Sequence, residues 1–504
     1  MLSVTEPTAS PPLPAAFNLA AHVLAQADAL ADKMAMQIVR PTGAERWSYG
    51  RLQAAVRGAG TGLLARGLAP GDRVLLRLGN GPEFPVAFLG AIAVGLVPVP
   101  TSAQLTKAEV TALAEQIRPQ LVIHSADIAL PDGNWSLLDA ASLLQMATLA
   151  PCDWHMGPAD SPAYIIFTSG TSGRPFGVVH AHRAILARAQ MHDDWEGLTQ
   201  SDRLLHAGAF NWTFTLGTGL MDPWTVGATA LIPGPGVLPA QLPLLLKRFD
   251  ATIMAAAPGV IRQMLRAPIP ALPRLRHGLC AGESLTPALR AAWGSATGTD
   301  LHEALGMSEV STYLSGSPAR PAPEGYAGYA QRHRKLAILS TDGEPLPRGE
   351  PGELAISRDD PGLMLGYLDA EDATAARYTG PWFRTGDMAE MREDGAIRYL
   401  GRSDDQLNPG GFRVSPQEVE AALAGIPGID DLAITEVSVK DGTRVLACLY
   451  TGPAALDETQ LAAEAATRLA RYRQPRIWAH VTALPRNANG KLNRRALPDL
   501  WSPE

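Results

Sequence analysis

The segment Thr168-Ser169-Gly170-Thr171-Ser172-Gly173 is the part of this chain best equipped for chemistry. It follows the apolar run Tyr164-Ile165-Ile166, which predicts a short buried strand. Glycines let the main chain turn sharply and bring its N–H groups close to a ligand. Hydroxyls add donors without bulk. A donor-rich loop of this kind holds a polyphosphate, so nucleotide chemistry is expected. The loop lacks the Gly-Lys-Ser/Thr ending of the common P-loop, which sets that class aside.

Further polar clusters follow downstream. They are Ala281-Gly282-Glu283-Ser284-Leu285, Leu305-Gly306-Met307-Ser308-Glu309, Thr385-Gly386-Asp387, Gly401-Arg402-Ser403-Asp404-Asp405 and Pro485-Arg486-Asn487-Ala488-Asn489-Gly490-Lys491. Singly, each has an ordinary reading. Asp387 follows a glycine as a turn aspartate does, Glu309 can be a solvated side chain, Arg402 and Asp404 can form a weak surface pair, and a Gly-Lys turn usually lies in solvent.

Their joint occurrence, in this order, resembles the adenylate-forming superfamily of acyl-CoA synthetases, nonribosomal adenylation domains and luciferases. The resemblance is greatest to acetyl- and medium-chain acyl-CoA synthetases and benzoate-type CoA ligases. It runs from about Trp47 to the C-terminus. It implies ATP, Mg²⁺ and coenzyme A as partners of a carboxylic acid, which is activated as acyl-AMP with loss of pyrophosphate and then passed to CoA.

By that resemblance Thr168, Ser169, Gly170, Thr171 and Ser172 form the phosphate loop. Gly282, Glu283 and Ser284 lie beside adenine, with Leu305, Gly306 and Met307 nearby. Glu309 holds Mg²⁺, an ion suited to oxygen ligands, and Ser308 donates to the α-phosphate. Asp387 accepts from the ribose hydroxyls, Arg402 supports the same sugar, and Arg413 reaches phosphate. Lys491 is the catalytic cation, brought in and withdrawn by a small lid that turns about Asp404. Gly410 and Gly411 border a pantetheine tunnel, although the residues alone fit a plain turn equally well. The lysine motif also resembles the acetylation sites of bacterial acyl-CoA synthetases, which makes a protein acetyltransferase acting on Lys491 an expected partner.

Three positions depart from the family pattern. Phe176 stands where the phosphate loop usually carries lysine, Leu305 where an aromatic ring usually stacks on adenine, and Asn408 where a hinge lysine is common. Two alternatives stay open, the second because of Phe176 and Leu305. One is a stand-alone adenylating enzyme that loads a carrier protein. The other is a catalytically weak nucleotide- or acyl-binding member.

The acyl pocket is expected beside Phe210, Trp212 and Phe214, with Ala281 and Gly306 at its base. The stretch from 210 to 220 carries no charged side chain. Aromatic walls without charge suit a medium-chain or aromatic acid with an uncharged acyl tail.

The elements that must position these residues follow from the wider pattern. A chain of 504 residues is too long for one core. Strand-like runs such as Arg73-Val74-Leu75-Leu76-Arg77-Leu78 and Leu121-Val122-Ile123 alternate with helical segments, which predicts an α/β fold of layered sheets and helices. The apolar stretch 87–100 is broken by Gly90, Gly95 and Pro98, too short to cross a bilayer, and is expected as a buried helix feeding a strand. Ser415 and Pro416 predict a helix start, as N-cap and first helical residue. The expected division is a large domain, 1–403, holding the ATP and acyl sites, and a small mobile α+β lid, 404–504, carrying Lys491.

A net charge of −7 excludes a general nucleic-acid binder. Residues 1–14 lack the pattern of a secretory signal. Three scattered cysteines fit a reducing, cytoplasmic setting and no disulfide framework. A monomer or homodimer is expected.

Overall fold

A computed structural model describes the chain except Ser10, residues 169–174, Ser284 and residues 404–406, 408–413, 440–443, 487–491 and 502–504. The expectations placed on Ser169, Gly170, Thr171, Ser172, Ser284, Asp404, Gly410, Gly411, Arg413 and Lys491 therefore lie outside the described residues, as does Asn408.

The alternating pattern folds as layered sheets and helices. The largest sheet runs Tyr329–Ala330, Ser311–Ser315, Asp300–Met307, His277–Ala281, Ile253–Ala256, Arg203–His206, Thr229–Pro233, Met34–Arg40 and Gly43–Ser48. Its strands from Asp300–Met307 to Met34–Arg40 pair in parallel. Their carboxyl ends, at His206, Ala256, Ala281 and Met307, therefore face one way and line up the loops expected to hold ligands. A second parallel sheet contains Val97–Pro100, Arg73–Arg77, Leu121–His124 and Leu137–Asp139.

The apolar stretch near residue 90 forms the helix Glu83–Ala93 and the strand Val97–Pro100, as expected. Every residue of the helix after Glu83 is buried. The Ala-rich stretch after Asp457 forms the helix Glu458–Arg468, whose apolar side buries Leu461 and Ala465.

The predicted strand before the phosphate loop is Pro162–Phe167. It pairs antiparallel with Gly177–Ala181, and Gly366–Tyr367 adds to the far edge of that hairpin. After the large sheet the chain forms an antiparallel sheet containing Trp382–Met391 and Ile397–Arg402, where Asp387 lies opposite Arg402.

Beyond residue 413 a smaller unit packs Pro416–Leu423 and Glu458–Arg468 on the strands Asp431–Ser438, Arg444–Thr451 and Ile477–His480. Its core includes Val414, Val419, Leu446, Cys448 and Trp478. Ser415 caps the first of these helices by accepting from the Glu418 N–H at 3.4 Å, with Pro416 in the first turn. The same hydroxyl donates to the Leu400 carbonyl at 2.7 Å, which anchors the helix start to the preceding strand.

A fully buried charge cluster braces the large unit. Arg188 donates through Nε to Asp222 at 2.9 Å and through Nη2 to Thr218 at 3.2 Å, and its remaining nitrogen reaches the Ser311 hydroxyl. Burial alone would raise the Asp222 carboxyl, but Arg188 holds it well below the usual carboxylate range. Burial and the neighbouring Asp222 push the Glu196 carboxyl well above that range, so Glu196 stays neutral beside the pair. Gly217 is required here, because the Arg188 guanidinium occupies the place of a β-carbon.

Arg188→Met leaves Asp222 charged and unmatched in the interior. It should destabilise the large unit by about 3–5 kcal/mol in urea unfolding. Arg188→Met combined with Asp222→Leu should recover most of that loss, since the apolar pair no longer buries a lone charge.

Candidate active site

The hairpin and the sheet meet at one turn. Strands Asp300–Met307 and Ser311–Ser315 are joined by Ser308-Glu309-Val310, and Ser311 adopts φ 68° to close it. Gly306 lies in the irregular register of this pair, and a β-carbon there would come within 2.6 Å of the Ser311 carbonyl. Only glycine fits that approach. Leu305 and Met307 pack partly buried on the core around Val178 and Phe383.

His180, in the strand after the phosphate loop, donates through Nε2 to the Ser308 carbonyl at 2.7 Å. Burial lowers the His180 imidazole to about 4, so it is neutral and carries its proton on the nitrogen facing that carbonyl. Thr168 closes the base of the phosphate loop, its N–H donating to the Phe176 carbonyl at 2.9 Å. The loop base and the Ser308–Glu309 turn are thus held to one another through the hairpin.

Glu309 is buried, and its Oε1 accepts from the Tyr367 hydroxyl at 2.7 Å. No hydrogen bond reaches its second oxygen among the described residues. The described residues hold no cluster of three or more metal-ligating side chains. A single buried carboxylate fits Mg²⁺, which takes one or two protein carboxylates and completes its shell with water and substrate phosphate.

Asp387 is buried and doubly held. It accepts from Tyr313 Oη at 3.3 Å on one oxygen and from Arg402 Nη1 at 3.3 Å on the other. Burial raises its carboxyl, and Arg402 and Tyr313 draw it back down. Arg402 also donates to the Thr385 carbonyl at 3.0 Å, so both residues are oriented by the strand pair that carries them.

On the third side, Gly282 turns the chain at φ 97° after the buried Ala281. The Leu285 N–H donates to Glu303 Oε1 at 2.8 Å. Burial pushes the Glu303 carboxyl up to about 7, with the Leu285 N–H and Arg290 opposing the rise.

Glu283 meets the small unit directly. Arg486 Nη1 lies 3.1 Å from Glu283 Oε1, and its Nη2 lies 2.8 Å from Asp431 Oδ2. Arg262 adds a contact to the same Asp431 oxygen at 3.2 Å. Arg486 and Leu492 pair as an antiparallel bridge.

The three aromatic residues expected at the pocket differ in place. Phe210 is buried, its ring 4.9 Å from Phe84. Phe214 is buried against His206 and Trp195, at 4.3 and 5.5 Å between ring centres. Trp212 is only partly buried and stands edge-on to Phe214 at 5.1 Å and 86°. Phe214 thus sets the angle of the Trp212 ring.

His180, Tyr313, Tyr367, Glu303 and Arg486 were not among the expected site residues. Each reaches the site through a partner at least 18 residues away in the chain, and of the five only Arg486 lies in one of the sequence motifs, where nothing singles it out.

The family model for AMP-binding enzymes matches residues 23–368, and that for the AMP-binding enzyme C-terminal domain matches 418–491. The chain belongs to the AMP-binding enzyme family. It is an acid–thiol ligase of the AMP-forming kind, using ATP, Mg²⁺ and CoA to join a carboxylic acid to the thiol through acyl-AMP. It is 28% identical to the 3-hydroxybenzoate–CoA ligase of Aromatoleum sp. (strain CIB), over 94% of this chain and 95% of that protein. It superposes on a benzoate CoA ligase from Burkholderia xenovorans LB400 with a TM-score of 0.87 and 26% identity, over 96% of this chain and 100% of that one. At 25% identity, covering 96% of this chain and 98% of the other, it matches ATP-bound MatB from Rhodopseudomonas palustris with a TM-score of 0.87 and apo MatB with 0.78. No helix among the described residues is long and apolar enough to cross a membrane.

Glu303 supplies a pH test of the adenine-side loop. Its value in the folded chain lies above the ordinary carboxyl value of 4.5, so the folded chain binds this proton more tightly than the unfolded one. Its contribution to stability is full below about 4.5, declines as pH rises, and is gone above about 7. Glu303→Gln keeps an acceptor for Leu285 but cannot ionise. Its melting temperature relative to the parent should rise from about pH 5 to about pH 7 and level off above that, read by calorimetry across pH.

Proposed function

We propose that this ligase activates an aromatic acid whose acyl tail is uncharged, and that the geometry described here is the arrangement for its first half-reaction. The observation that carries the second statement is the docking of Arg486 on Glu283. That contact brings the base of the Lys491 segment to the adenine-side loop. The better superposition on ATP-bound than on apo MatB supports the same arrangement.

In this reading the boundary between the large domain and the lid falls at 403/404, with Asp404 as hinge. The acid's carboxylate attacks the α-phosphorus of ATP, the bond to pyrophosphate breaks, and the acyl-adenylate forms. Ser308 donates to the α-phosphate from the turn that His180 holds. Asp387 accepts from the ribose hydroxyls, oriented by Arg402 and Tyr313. Glu309 holds Mg²⁺, which neutralises charge on the phosphate oxygens when bound. Residues 168–172 and Arg413 grip phosphate. Lys491 stabilises the charge that gathers between carboxylate and phosphate, and most of the rate comes from such positioning and electrostatics. The lid then turns, Lys491 leaves, and the CoA thiolate attacks the acyl carbonyl beside Gly410 and Gly411, releasing AMP.

The aromatic preference rests on Trp212 and on the absence of charge between residues 210 and 220. It agrees with the relatives named above for hydroxybenzoate and benzoate. A reducing cytoplasmic setting suits the three unpaired cysteines. Acetylation of Lys491 would remove its charge and stop the first half-reaction.

The test is pyrophosphate release and CoA thiol consumption with a panel of benzoate, hydroxybenzoates, hexanoate, octanoate and malonate. Benzoate-type acids should give the highest kcat/KM. Preference for the straight-chain acids would overturn the aromatic reading, and product formed only with a carrier protein would overturn the CoA assignment. Lys491→Ala should lower adenylation by at least about 100-fold while sparing thioester formation from supplied acyl-AMP. Equal loss of both half-reactions would contradict a lysine that leaves between them.

A further inference from the structure

Phe176 puts an apolar ring at the end of a loop that grips phosphate. Its surroundings assign that ring a purpose. The Phe176 carbonyl receives the Thr168 N–H at 2.9 Å, which closes the phosphate loop at its base. Its half-buried ring packs on Tyr367, with centres 4.9 Å apart and planes tilted by 33°. Tyr367 is held by three further contacts. It pairs with Val178 in the hairpin's sheet, its N–H donates to Thr374 Oγ1 at 2.9 Å, and its hydroxyl donates to Glu309 Oε1 at 2.7 Å.

We propose that Phe176 is a positioning residue: through Tyr367 it sets the distance between the base of the phosphate loop, at Thr168 and Phe176, and the Glu309 carboxylate. This rests on the reading that Glu309 faces the nucleotide's metal ion. Two groups must grip one triphosphate, the loop from one side and the carboxylate-held ion from the other. A rigid ring between the loop base and the carboxylate fixes that spacing before ATP arrives, so less order has to be created on binding. A lysine at 176 would be a point charge on a flexible stem. It could not hold the Tyr367 ring, and its ammonium would be drawn to the Glu309 carboxylate that the ion needs. The oxygen of Glu309 that accepts from Tyr367 is held in place, and the other is left for the ion.

The experiment is calorimetric binding of ATP, with and without Mg²⁺, to the parent and to Phe176→Leu, Phe176→Tyr, Phe176→Lys and Tyr367→Phe, with melting curves to show that each folds. Phe176→Leu and Tyr367→Phe should weaken ATP binding roughly 3- to 10-fold, the size of an aromatic pair or one such hydrogen bond. The loss should be larger with Mg²⁺ than without. KM for the acid and for CoA should change by less than about twofold, and Phe176→Tyr should restore the parent values. Phe176→Lys should bind no tighter than the parent. Unchanged binding in Phe176→Leu, an equal loss with and without Mg²⁺, or tighter binding in Phe176→Lys would overturn the proposal. The ATP-binding measurement needs no turnover, so it fails or succeeds separately from the ligase assay, which the parent alone decides.

Discussion

The buried pair between Arg188 and Asp222 is the contact on which the catalytic end of the large unit depends. Arg188 sits in the segment after the phosphate hairpin, Asp222 in the helix behind the aromatic stretch, and Ser311 at the close of the Glu309 turn. One guanidinium thus joins the three segments to which the phosphate, acyl and metal sides of the proposed site are assigned. A hydrophobic contact would hold them together but would not fix their angles. The planar fork of arginine does, because each of its nitrogens must meet a particular oxygen. The neutral Glu196 beside the pair avoids a second buried negative charge.

Around that brace the site is assembled from backbone as much as from side chains. Parallel strands end together at His206, Ala256, Ala281 and Met307, so their loops are neighbours whatever their sequences. Polar contacts then set the details. His180 holds a carbonyl of the Glu309 turn, Glu303 holds an amide of the adenine-side loop, and Tyr313 and Arg402 share the two oxygens of Asp387. Each supporting group is buried or half-buried, where a hydrogen bond is stronger and its loss costs more.

Much of this was legible in the sequence because it is local. The strand before the phosphate loop, the helix ending near Ala93, and the Ser415 cap each follow from residues within a turn or two of one another. The order of the motifs carries the family. The supporting residues were not legible, and the reason is distance along the chain. His180 meets a carbonyl 128 residues away, Tyr367 a carboxylate 58 away, and Arg486 a carboxylate 203 away. No period or motif encodes such partners. The aromatic stretch shows the same limit on a smaller scale. Phe210, Trp212 and Phe214 alternate as if equivalent, yet Phe210 belongs to the core around Phe84 while Trp212 stays partly open.

The contact of Arg486 with Glu283 has a bearing on timing. Its two side chains are only partly shielded, and the same arginine is shared with Asp431, itself shared with Arg262. Such pairs weaken as ionic strength rises. In the proposed cycle this catch must hold during adenylation and open before CoA is used. Salt should therefore slow the first half-reaction and ease entry into the second, so the protein's rate-limiting step can change with the ionic composition around it while no atom of the reaction centre is altered.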